Sequence, residues 1–252
     1  MSETARLARR LRAEMAKHAD PERAAAMRSY MKSAMPYYGL SLPQVRAVCG
    51  DVFDGLEFAS CAGWQEAFLG IWRGARRREE RYAALSLLQL KRYRECRTPA
   101  LMPVLEELVV TGAWWDLVDW TVQVVGELLR EYPAQIRPVM RRWSTDEDMW
   151  KRRVSIICQL SFKRDTDLEL LYANIEPNLG DREFFIRKAI GWALRQYAWT
   201  DPDEVLRYVR LHETQLSALS RREAIKNLKD PLPVRGEGGR VRGVRAGTRP
   251  SP

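Results

Sequence analysis

Proline and capping residues cut this chain into helix-length pieces, and that punctuation limits what it can fold into. Asp20-Pro21, Ser41-Leu42-Pro43, Thr98-Pro99, Tyr132-Pro133 and Asp201-Pro202 each put a proline where a first helical turn tolerates it. Ser144 before Glu147 and Ser220 before Glu223 read as caps with an acid three residues on. Between these stops apolar residues recur three and four apart, separated by Ala, Leu, Glu and Arg. The pattern predicts about a dozen helices of roughly 10–17 residues joined by short turns, with little room left for a sheet. The fold class is therefore all-α.

Helices paired at a period of roughly 35–45 residues would stack as a HEAT-like helical-repeat solenoid. An irregular bundle has the same periodicity and stays open as the alternative. The repeat domain is expected over residues 1–230. From Pro231 to Pro252 the chain is dense in Pro, Gly and Arg without apolar periodicity, which reads as a flexible tail. That tail holds five Arg and one Glu, so about +5 of the formal +9 belongs to the helical body. A basic body favours a polyanion as partner.

Several classes drop out. No window of 18 apolar residues exists for a membrane span, and the N-terminus lacks the apolar run of a secretory signal. Cys49, Cys61, Cys96 and Cys158 form no CxxC pair and read as reduced, mostly buried cytoplasmic thiols. With only His18 and His212, neither a histidine metal site nor a Ser-His-Asp arrangement has support, and no phosphate-cradling glycine motif follows a strand. The chemistry is expected to need no metal and no cofactor.

Three segments could carry it. In the helix opened by Trp114-Trp115-Asp116-Leu117-Val118-Asp119-Trp120, residues Leu117, Val118, Thr121, Val122, Val125, Leu128 and Leu129 form the core stripe. Trp115 and Asp119, four apart, stand off it with Gln123 and Gly126. That pair is either a site or a packed indole beside a carboxylate that favours the helix N-terminus. In Phe184 to Arg195, the residues Ile186, Ala189, Ile190 and Ala193 face the core, with Tyr197 beyond. Lys188, Trp192, Arg195 and Trp199 gather on another face, as a nucleic-acid contact or a solvated cation–π group would. In Trp150-Lys151-Arg152-Arg153, Arg153 falls in or beside the apolar stripe and must have a partner. That partner is an internal carboxylate, such as one of the acids around Asp146 to Asp148, or an external phosphate. The basic runs Arg73 to Arg81 and Lys91 to Arg97 read as solvated helix faces. The aromatic cluster from Tyr30 to Tyr38 reads as core or turn packing.

These strings, with Leu219-Ser220-Arg221-Arg222-Glu223-Ala224-Ile225-Lys226, resemble the AlkD-like DNA alkylation repair glycosylases from about Met27 to Leu228. The resemblance implies a solenoid whose concave, basic surface holds duplex DNA carrying alkylated bases. It implies a monofunctional glycosylase that releases cationic N3- or N7-alkylated purines, with no lyase activity. Trp115, Asp119 and Trp192 would be catalytic. Arg153 and Arg195 would contact phosphates, and Lys188 and Tyr30 are further expected DNA contacts. Leu117 stands where Thr is expected; it lies in the core stripe, so no loss of chemistry follows. A cytoplasmic monomer without membrane or obligate protein partner is expected. The alternatives are a non-catalytic solenoid that binds distorted or branched DNA, and a protein-interaction scaffold whose surface is not basic.

Overall fold

A computed structural model describes residues 3–228, so the Arg/Gly/Pro segment from Pro231 lies outside the described residues. Thirteen α-helices follow one another, and no strand occurs among the described residues. They are α1 (Glu3–Lys17), α2 (Pro21–Tyr30), α3 (Leu42–Phe53), α4 (Cys61–Arg73), α5 (Arg78–Leu88), α6 (Met102–Gly112) and α7 (Trp115–Glu131). Next come α8 (Pro133–Trp143), α9 (Met149–Ile157), α10 (Leu168–Ile175), α11 (Phe184–Ala198), α12 (Pro202–Leu211) and α13 (Ala218–Ala224).

Local chemistry starts most of them where the sequence marks it. Asp20 and Asp201 accept a backbone N–H from the third residue beyond, and Ser41 with Gln44 closes a capping box. Two marks fall elsewhere. Ser144 ends α8, and α9 starts at Met149 because the Asp148 carboxylate accepts from the N–H groups of Trp150 and Lys151. α13 is capped by Ser217, which leaves Ser220 buried within the helix. In both cases the better-placed side-chain oxygen takes the free N–H groups.

The helices form two rows. α3, α5, α7, α9, α11 and α13 each pack on the next, and α1, α4, α6, α8, α10 and α12 back them. The backing helices from α4 onward start at Cys61, Met102, Pro133, Leu168 and Pro202, which are 41, 31, 35 and 34 residues apart. This is the helical-repeat stack expected from the sequence, with one continuous core running along it. Two glycines let neighbours of the first row close up. A Cβ on Gly126 would lie 2.8 Å from the Cys158 carbonyl oxygen, and one on Gly191 would lie 2.5 Å from Glu223 Cβ. α2 buries none of its residues.

The cysteine expectation holds for two of four. Cys49 and Cys158 are buried free thiols, and burial pushes each up to about 12. Cys61 and Cys96 instead form a disulfide across 35 residues. Cys61 opens α4, and Cys96 ends the short 3-10 segment Lys91–Cys96 that packs back on α4. Linear spacing hides a pair brought together by a return of the chain.

Candidate active site on α7, α9 and α11

The site begins at a turn. Ala113 adopts a left-handed conformation (φ 42°) after α6, and Trp114 follows in extended backbone, so α7 starts sharply at Trp115. Trp114 packs against Trp150 of α9 and Phe185 of α11, with ring centroids 6.2 and 5.4 Å apart. It anchors the turn. Trp115, next in line, is 36% exposed. Leu117 is buried in the core beneath it.

Asp119 lies one turn further along the same face. Arg153 of α9 grips it bidentately, with Nε to Oδ1 and Nη2 to Oδ2 both 2.7 Å, and donates from Nη1 to the Phe185 carbonyl at 2.8 Å. The Asp119 side chain is 18% exposed and that of Arg153 only 5%. The guanidinium carbon also sits 5.9 Å from the centre of the Trp192 ring. The structure thus brings Asp119, Arg153 and Trp192 together on three consecutive helices of the first row, with Trp115 a turn away.

The partner that Arg153 requires is an internal carboxylate. Its internal partner is Asp119 and not an acid of 146 to 148, because Asp148 caps α9 and Asp146 pairs with Lys151. The guanidinium is buried and donates to protein groups from all three nitrogens, which uses three of its five N–H groups. Burial raises the Asp119 carboxyl above its ordinary value. The hydrogen bonds and charge of Arg153 oppose this without cancelling it, and the charge of Asp116 adds to it. A carboxylate has about four lone-pair positions, and Arg153 takes two, so Asp119 keeps acceptor capacity on its open side.

A second cluster lies on α11 and α13. Lys188 Nζ is 3.0 Å from Glu223 Oε1, and Arg195 donates to the other carboxylate oxygen. Both expected DNA contacts are therefore held by one acid that sequence reasoning did not single out. Glu223 is mostly buried, which would raise its carboxyl, but hydrogen bonds and charge from Lys188 and Arg195 outweigh burial and hold it below its ordinary value. Tyr30 ends α2 at 80% exposure, so it is not core, whereas Met31 and Tyr37 of the same cluster are buried. Trp199 follows α11 and is largely exposed.

The run from Arg73 to Arg81 departs most from its expected solvated face. Arg78, Glu79 and Glu80 are buried. Arg78 pairs with Asp116, to which Tyr82 also donates. Glu79 accepts the backbone N–H groups of Tyr38, Gly39 and Leu40. The four- and three-residue spacing of Arg78, Tyr82 and buried Leu85 was the available sign that charge here faces inward. Arg97 of the other basic run is likewise buried against Glu127 of α7.

A stack of helix pairs with an acid, a buried arginine and two indoles on one row is the class that fold and site define. The model of the family described as DNA alkylation repair enzyme matches residues 11–228. The chain belongs to that family. It is also similar to a solved structure described as a predicted DNA alkylation repair enzyme from Enterococcus faecalis. Identity is 29%, coverage is 84% of this chain and 97% of that one, and the TM-score is 0.67. No curated protein matches the chain. Among the described residues no helix is long and apolar enough to cross a membrane.

Proposed function

We propose that the protein is a monofunctional DNA glycosylase that hydrolyses the N-glycosidic bond of positively charged N3- or N7-alkylated purines in duplex DNA. The observation that carries this reading is the Asp119 carboxylate, oriented by a buried arginine and flanked along its row by Trp115 and Trp192.

The chemistry suits a site without histidine. An alkylated purine bearing a formal positive charge leaves as a neutral base, so no general acid is needed. The C1′–N bond breaks, its electron pair returns to the purine, and positive charge builds on the deoxyribose as an oxocarbenium ion. A fixed negative charge and electron-rich ring faces stabilise that charge. Asp119 supplies the charge, and its free lone pairs can orient the water that adds to C1′ and accept its proton. Trp115 and Trp192 supply the ring faces. Arg195 and Lys188 serve as backbone contacts, which add affinity but no sequence information. Tyr30 is a further contact from α2. Water, not an amine, attacks the sugar, so no Schiff base forms and no strand cleavage follows. The enzyme works as a monomer on chromosomal DNA in the cytoplasm, and neither metal nor cofactor takes part.

The test is release of free modified base from methylated duplex DNA, with wild type and Asp119→Asn side by side in EDTA. Wild type releases base, and the variant loses about a hundredfold or more in rate with DNA binding kept. Equal rates would sink the mechanism. DNA binding without release by either protein would establish a non-catalytic DNA-binding relative, and no DNA binding at all would leave the scaffold reading.

A further inference from the structure

Arg78 is where three parts of the chain meet. Its guanidinium pairs with Asp116 of α7, Nε to Oδ2 at 3.0 Å, and the two side chains are only 7% and 10% exposed. Tyr82, one turn along α5, donates to the same Oδ2. The Arg78 backbone N–H donates 2.9 Å to the carbonyl of Pro36, and Arg77 donates to that of Tyr37. With Glu79 on the N–H groups of residues 38–40, the start of α5 clasps the 36–40 loop on one side and the first turn of α7 on the other.

Asp116 sits between Trp115 and Asp119, one residue after the first and three before the second. Residues three apart on a helix are neighbours, so an uncompensated charge on Asp116 would act directly on Asp119. We infer that Arg78 is a positioning residue for the proposed catalytic face: it fixes the first turn of α7 through Asp116 and offsets part of the Asp116 charge beside Asp119. This rests on the glycosylase reading for its purpose but not for its electrostatics. An apolar contact could tie α5 to α7 equally well. Only a cation also weakens the Asp116 charge felt at Asp119.

The charged surroundings make the claim testable. From α9, Arg153 faces Asp119; from α7 itself, Asp116 does; α11 offers the Phe185 carbonyl and the Trp192 ring. From α5, Arg78 and Tyr82 reach α7 at Asp116. The charged groups of α6 and α8 that are paired among the described residues find their partners elsewhere: Glu106 on Lys151, Glu107 on Arg73, Arg137 on Asp167 and Arg141 on Glu169.

The experiment follows the Asp119 carboxyl carbon by NMR in protein labelled at aspartate, without DNA, its signal identified by its loss in Asp119→Asn. Arg78→Met and Asp116→Asn break the same contact, so damage to packing alone gives both the same sign. The inference requires opposite signs: the Asp119 midpoint moves up in Arg78→Met and down in Asp116→Asn, each by about one pH unit. Arg78→Lys keeps the charge and loses the fork, and its midpoint stays near wild type. Shifts of one sign, or none in folded variants, overturn the inference. If Arg78→Met does not fold, a downward shift in Asp116→Asn with Arg78→Lys unmoved supports it, and an unmoved Asp116→Asn sinks it. A parallel pH profile of base release should move with the titration. Titration shifts without base release by wild type would leave the charge role standing and remove the glycosylase. Release without titration shifts would do the reverse.

Discussion

Two acids of the first helical row hold cations, and their surroundings set them apart. Asp119 faces one arginine that is almost wholly buried, and burial drives its carboxyl upward in spite of that partner. Glu223 faces two cations that are part exposed, Lys188 and Arg195, and they drive its carboxyl downward in spite of burial. The residue types are nearly the same, so charge pairing alone does not fix what a carboxylate does. Where the cations reach solvent, the group is a stable anion that spends positive charge. Where the only cation is sealed beneath the acid, the carboxylate is held in a costly charged state, which is a reservoir a cationic transition state can draw on.

The largest expected break in this comparison is Arg153→Met. It leaves Asp119 without its buried cation and should cost about 3–5 kcal/mol of stability by denaturant melt. Arg195→Met, at a part-exposed pair, should cost under about 1 kcal/mol. Equal losses would erase the distinction. Next comes Gly191→Ala, whose new Cβ would meet the Ser220 carbonyl oxygen at 2.9 Å and Glu223 Cβ still closer. Pushing α13 from α11 should cost about 1–3 kcal/mol and disturb Glu223 while leaving Asp119 alone. An unchanged melt would mean that α13 gives way freely.

The pH dependence separates the two acids by sign. Asp119 has a raised folded-state value, so its contribution to stability is present below the unfolded value of about 4 and is lost as pH rises through the folded one. Relative to wild type, Asp119→Asn should therefore gain stability as pH climbs from about 4. Glu223 is lowered, so its contribution is present above its unfolded value and lost as pH falls. Glu223→Gln should lag wild type at neutral pH and close the gap in acid. Thermal melts across that range read both slopes, and a shared sign would contradict the contrast. The smallest effect is on DNA. Glu223→Gln frees positive charge on Lys188 and Arg195 and should tighten low-salt DNA binding a few-fold, about 1 kcal/mol or less, in a salt titration.

Much of this was legible in the sequence where a residue's fate is decided by its own helix. Pro21, Pro43, Pro133 and Pro202 mark real helix starts, the stripe of α7 is the buried one, and Arg153 lies in its apolar face as spacing requires. The signal failed where a neighbour decides. Periodicity gave Arg153 a partner requirement but not Asp119, which lies 34 residues away on another helix. It read Arg78 to Glu80 as solvent-facing because charge is the bland sign of a surface, whereas the 36–40 loop and Asp116 supply the partners that pay for burial. Glu223 read as the acid of a Ser220 cap, since nothing in its own short helix says that Lys188 and Arg195 arrive from α11.

The bond between Cys61 and Cys96 has a consequence for the order in which this site can be lost. The 35-residue ring it closes contains the whole of α5, so Arg78, Glu79, Glu80 and Tyr82 stay within a covalent loop even in the denatured chain. By loop-closure entropy a ring of that length disfavours the unfolded ensemble by about 4 kcal/mol. α7, with Trp115 and Asp119, lies outside the ring and is joined to it by pairs such as Arg78 with Asp116 and Arg94 with Glu131. The protein thus sets its proposed chemistry on a helix outside the covalent loop, docked against one inside it.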